Sequence, residues 1–180
     1  MVILITGATH TGKTLLAQKM MEKYSYPYLS IDHVKMGLIR SGNTALTPED
    51  DDALTDYLWP IVREMIKTAI ENRQNLIVEG CYVPFAWRKD FSEDYLAYIR
   101  FICLAMTDSY IDARFEEIKA HGSDIESRLD DACCTKALLK TENQRYAAGF
   151  QAAGEPVIRI DGDFADALDL VFSVAIQPVS

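Results

Sequence analysis

Near the start of the chain, Gly7-Ala8-Thr9-His10-Thr11-Gly12-Lys13-Thr14 carries two glycines, a lysine and a hydroxyl at the spacing Gly-x-x-x-x-Gly-Lys-Thr. That spacing can cradle phosphate. Gly7 and Gly12 let the backbone approach phosphate oxygens with no Cβ in the way. The amides from about Thr9 to Thr14 would point at those oxygens from a helix N-terminus. Lys13 would reach the β and γ phosphates, and Thr14 would offer its hydroxyl to Mg²⁺. Ala8, His10 and Thr11 complete the loop, with side-chain contacts from His10 and Thr11 open to it. Alone, the pattern fits kinases, GTPases and motors equally.

Hydrophobic patterning supplies the elements that must hold this loop. Residues 2–6 (VILIT) form a continuous apolar run, as in a strand buried on both faces. Leu16, Met20 and Tyr24 recur at helical spacing behind it. A short strand is predicted over 27–31 and a helix from Asp32 or His33 to Ser41-Gly42. Thr47-Pro48-Glu49-Asp50 reads as a capped helix start, followed by an apolar face of Leu54, Leu58, Ile61, Met65 and Ala69, with Pro60 expected to bend the helix. Further strands are expected at 76–79, 98–104 and 156–160. Helices are expected around 84–90, from a cap at Asp108 to a stop at Gly122, across 124–153 with a break, and over 164–176. Strand and helix alternate throughout, which predicts one domain with a parallel sheet covered on both faces.

Composition excludes several classes. The formal net charge of -9 argues against general nucleic-acid binding, which needs basic surface. It leaves ATP binding open, because local amide dipoles and one lysine carry that task. No segment is long or apolar enough to cross a membrane, and the apolar start lacks the basic residues of a signal peptide, so a cytoplasmic location is expected. Cys81, Cys103, Cys133 and Cys134 form no Cys-x-x-Cys pair, which favours buried free thiols over a zinc site.

With the loop and the element order in view, the chain resembles the P-loop small-molecule kinases, both the adenylate kinase-like and the shikimate and gluconate kinase-like groups. The resemblance implies a three-layer α/β/α sandwich with a five-stranded parallel sheet of order 2-3-1-4-5. It implies an acceptor-binding helical region at about 33–72 and a short lid at about 119–131, both mobile. In "LSIDHVKMGLIRSG", Asp32 stands where antibiotic- and shikimate-phosphorylating relatives keep an acid on the acceptor hydroxyl, and Arg40 is the acceptor-side arginine. In "VEGCYVP", Glu79 resembles the acid that holds Mg²⁺ through water, and Arg88 lies beyond it as a second acceptor candidate. Arg114 sits at the lid entrance and Arg128 within the lid, as phosphate-contacting arginines; Arg145 follows on the helix leaving it. "RIDG", residues 159–162, falls where relatives hold adenine. There is no Asn-Lys-x-Asp base-reading motif, which favours ATP over GTP.

Asp32 carries two readings, a helix N-cap and a general base for a hydroxyl nucleophile, with His33 as a substitute base. Tyr82, Phe85 and Trp87 either line an acceptor pocket or pack a short helix. The expected activity is ATP-dependent phosphoryl transfer to a small molecule, with Lys13, Asp32, Arg114 and Arg128 in the catalytic set. A nucleoside monophosphate kinase and an ATP-binding regulatory or toxin-like protein remain alternatives. The expected partners are ATP, Mg²⁺ and the acceptor, in a monomer or homodimer.

Overall fold

The protein is described by a computed structural model that covers residues 1–121 and 134–174. Five parallel strands, β1 (Val2–Gly7), β2 (Tyr28–Ser30), β3 (Leu76–Glu79), β4 (Ile99–Met106) and β5 (Val157–Ile160), lie in the order β2-β3-β1-β4-β5. This is the expected sheet. The central strand β1 is buried at all six positions because neighbours and helices cover both its faces.

Alternation along β1 divides the core into two layers. Val2 and Leu4 face a cluster built with α2 (Ile31–Arg40), α3 (Asp51–Glu71), Trp87 and Phe150. Ile3 and Ile5 face the opposite cluster, with Leu16, Ala17 and Met20 of α1 (Lys13–Tyr24). A four-residue helix α4 (Glu93–Leu96) precedes β4. Two further helices, α5 (Asp108–His121) and α7 (Phe164–Val174), join α1 through Ile111, Leu168 and Val171. The helix α6 (Lys136–Ala152) contributes Phe150 to the first layer and Leu139 to the second, at the sheet edge.

Several helix boundaries differ from those predicted. Ser30, not Asp32, holds the N-cap position of α2. The Thr47-Pro48-Glu49-Asp50 stretch is a turn instead of a helix start: Thr47 donates from its amide and hydroxyl to Asp50 Oδ2 at 2.7 and 2.9 Å, and α3 begins at Asp51. The helix then runs unbroken across Pro60. At α5 the cap is Thr107, whose hydroxyl accepts the Tyr110 amide at 3.2 Å. The expected stop at Gly122 and most of the expected lid, including Arg128, fall outside the described residues. Cys81, Cys103 and Cys134 are free thiols.

The buried stripe of α3 is also rotated from the expected one. Leu58, Val62 and Ile66 face the core, whereas Ile61 and Met65 are 37% and 38% exposed. After Leu58 the sequence is apolar at both 61 and 62, and at both 65 and 66, so 3.6-residue periodicity accepts either stripe. Packing against Trp87 and β1 selects one. Ile66→Ala should therefore cost about 2–5 kcal/mol, and Met65→Ala less than about 1 kcal/mol, measured by urea unfolding. Equal losses would contradict the register.

Candidate active site

The phosphate loop joins the end of β1 to α1, and its backbone explains its residues. Gly7, His10 and Gly12 have φ of 146°, 63° and 78°. A Cβ on Gly7 would lie 2.3 Å from the Leu104 carbonyl oxygen, and one on Gly12 would lie 2.4 Å from the Phe164 ring. Both positions require glycine by space as well as by dihedral. Gly12 caps α1 with no side-chain acceptor, and the first turn holds no acid. The positive end of the helix is thus left for an anion.

Inside the loop, Lys13 Nζ and Thr11 Oγ1 both donate to the Ala8 carbonyl, at 2.7 and 2.8 Å. Lys13 is only 7% exposed, so its charge is held within the cradle instead of in solvent. Thr9 Oγ1 lies 3.1 Å from His10 Nδ1. Thr14 occupies the first turn of α1 and is partly buried.

Sheet register brings the candidate acids alongside. Ile5 is level with Glu79 on β3, and Glu79 is level with Ser30 on β2. Glu79 is buried, 1% exposed, one residue before Gly80, whose amide donates to the Ile5 carbonyl. Asp32 opens α2 two residues after Ser30. Between them lies Cys81: burial pushes its thiol up, the charge and hydrogen bond of Lys13 pull it down, and the charges of Asp32 and Glu79 raise it. Lys13, Asp32 and Glu79 thus lie at or just beyond the carboxyl ends of β1, β2 and β3, where parallel α/β sheets bind ligands.

Asp32 does not cap α2. Its carboxylate pairs with Lys35 at 2.5 Å. The same ammonium donates to Tyr82 Oη at 2.8 Å and stands 5.0 Å from that ring. Tyr82 in turn donates to Asp51 Oδ1 at 3.3 Å, on the first turn of α3. Burial, followed by the charges of Asp32 and Asp51, holds the Tyr82 phenol well above its ordinary range. Across the cleft, Arg145 of α6 reaches Asp52 at 2.8 Å, and Tyr146 Oη donates to the Cys81 carbonyl at 2.7 Å. Sequence reasoning missed Lys35 as a partner; its place one turn after Asp32 was the available signal. No local signal marked the contacts of Asp51 with Tyr82 and of Asp52 with Arg145.

The remaining candidates are scattered. Arg40 ends α2, exposed, with no ion pair among the described residues. Arg88 is committed elsewhere: its Nε and Nη2 grip the two carboxylate oxygens of buried Glu155, so the structure does not bring it to the acceptor. Trp87 is fully buried and stacks on Phe101, and Phe85 packs on Gly149 and Phe150. All three aromatics, Tyr82 among them, pack in or against the core, and Tyr82 alone also joins the Lys35 and Asp51 network, through its hydroxyl. Arg114 interrupts the helical dihedrals of α5 and pairs with Glu117 at 2.9 Å. The Arg114 guanidinium also stands 5.8 Å from the Tyr110 ring, and Glu117 above all raises its affinity for its proton. Asp161 of the "RIDG" turn is fixed by the hydroxyls of Thr107 and Ser109, at 2.6 and 2.9 Å, which hold its carboxyl low.

Sheet order and flanking helices together define a three-layer α/β/α fold with a glycine-rich loop after its first strand. Among solved structures the chain is similar to a gluconokinase from Sinorhizobium meliloti 1021, with a TM-score of 0.53 and 14% identity over 97% of this chain and 93% of that one. It is similar to deoxyadenosine kinase from M. mycoides, with a TM-score of 0.55 and 14% identity over 96% and 97%. Shikimate kinase from Aquifex aeolicus aligns with a TM-score of 0.51 and 12% identity over 96% and 94%. At these identities the likeness is one of fold. No protein-family model matches the chain, and no curated protein matches it in sequence.

The Arg88 geometry has a measurable consequence. Arg88→Ala leaves a buried carboxylate without its partner and should cost about 1–3 kcal/mol in urea unfolding, less than a wholly buried pair because Arg88 is 47% exposed. It should leave the KM for acceptor unchanged. A rise in that KM with stability intact would return Arg88 to the acceptor site.

Proposed function

We propose that the protein is an ATP- and Mg²⁺-dependent phosphotransferase acting on a hydroxyl of a small molecule. The observation that supports this reading is the strand register that sets Glu79 and the start of α2, with Asp32, beside the glycine-rich loop that holds Lys13.

In this reading the triphosphate occupies the cradle of residues 7–14, and Lys13 exchanges its Ala8 carbonyl for phosphate oxygens. Thr14 and Glu79 suit Mg²⁺, since a hydroxyl and a carboxylate are hard oxygen donors and the carboxylate is buried beside β1. The described residues hold no cluster of three His, Cys, Asp or Glu, so such an ion would take most ligands from phosphate and water. When bound, Mg²⁺ neutralises charge on the β and γ phosphates. Asp32 accepts the proton of the acceptor hydroxyl as that oxygen bonds to the γ phosphorus and the bond to the ADP oxygen breaks. Lys35 holds the Asp32 carboxylate in place meanwhile. Arg114, and Arg128 by resemblance, are assigned to charge on the transferring group, and Arg40 to the far side of the acceptor.

A hydroxyl acceptor is preferred to a nucleoside monophosphate because an alcohol needs a base, whereas a phosphate monoester is already a nucleophile. Asp32→Asn should lower acceptor-dependent ADP formation by about 10²–10⁴-fold and leave ATP affinity unchanged. Lys13→Ala should weaken both. Unaltered turnover in Asp32→Asn would remove Asp32 as base. ATP binding with no acceptor-dependent turnover across sugars, sugar acids, glycerates and nucleosides would favour the regulatory alternative.

A further inference from the structure

The charges that line the cleft beside Asp32 limit what can enter it. From α2 come Asp32 and Lys35, from the first turn of α3 Asp51 and Asp52, from the loop after β3 Tyr82, and from α6 Glu142 and Arg145. Both of these cations are already paired. Lys35 has Asp32 at 2.5 Å and Tyr82 Oη at 2.8 Å, and little solvent exposure. Arg145 has Asp52 at 2.8 Å and Glu142 at 3.6 Å.

The arginines that would greet an acidic acceptor are elsewhere. Arg88 is held by Glu155. Arg40 lies eight residues from Asp32, about 12 Å along the helix. Lys13 belongs to the nucleotide. The carboxylates meanwhile share one field: burial raises the Asp51 carboxyl, the Tyr82 hydroxyl and Lys35 lower it, and Asp32 and Asp52 raise it again. A carboxylate or phosphate placed here would meet this group of acids, with Lys35 and Arg145 both already paired.

We infer that the acceptor is a hydroxyl compound free of carboxylate and phosphate groups, either uncharged or bearing an amine. The cleft offers such a molecule carboxylate oxygens for hydroxyl or ammonium donors. This rests on the phosphotransferase reading of the same site and narrows it.

Matched pairs of acceptors test the inference, with ADP formation by the full chain in ATP and Mg²⁺ as the readout. Suitable pairs are an aldose with its aldonic acid, a nucleoside with its 5′-monophosphate, and an amino alcohol with the corresponding hydroxy acid. The member without the anion should show at least tenfold higher kcat/KM. Equal or better use of the acidic member overturns the charge assignment and leaves the phosphotransferase reading standing. No ADP formation on either member of any pair overturns both. Asp52→Asn provides an independent measurement, because Asp52 is 88% exposed and its loss releases Arg145 without disturbing the core. It should raise kcat/KM for the acidic member at least threefold relative to its neutral partner, and an unchanged ratio overturns the assignment.

Discussion

Register between three parallel strands places the chemistry. Ser30, Ile5 and Glu79 lie at one level of β2, β1 and β3, so each chain leaves the sheet at nearly the same height. From that level β1 enters the glycine-rich loop, β2 enters the helix whose first turn holds Asp32, and β3 ends on Glu79, two residues before Cys81. A slip of one residue in either pairing would turn Glu79 to the other face of the sheet. The close approach of Gly7 to the Leu104 carbonyl fixes the fourth strand against the same level. Asn143 locks α6 there, accepting the Met106 amide at 2.7 Å and donating to the Leu139 carbonyl.

The cleft walls are tied to one another by charge. Lys35 joins α2 to the loop after β3, Tyr82 joins that loop to α3, and Arg145 joins α3 to α6. Each link uses a group that a ligand could otherwise have engaged. The walls are thereby positioned by the protein's own side chains, and the remaining acids give the cleft its character. Exposed pairs such as Arg145–Asp52 add little to stability, so their effect is on the field of the site more than on the fold.

The glycine-rich loop conformation and the sheet order were legible in the sequence because each depends on local chemistry. The loop's glycines answer a backbone conformation, and β1 announces its double burial by an unbroken apolar run. Helix starts were less legible. Thr47 and Asp50 offer the same hydrogen bonds to a turn as to a helix cap, and at α5 the polar residues Thr107 and Asp108 compete for one cap position. The α3 stripe was ambiguous because apolar residues stand on both sides of the expected line.

What the sequence determined by itself was the glycine-rich loop after β1 and the alternating α/β architecture, since these follow from patterns within a few residues. What only the tertiary structure decided was which charges meet. Arg88 finds Glu155, Lys35 finds Tyr82 and Arg145 finds Asp52 across 67, 47 and 93 residues of chain. Partners so distant are chosen by strand register and helix packing, and no local spacing encodes them.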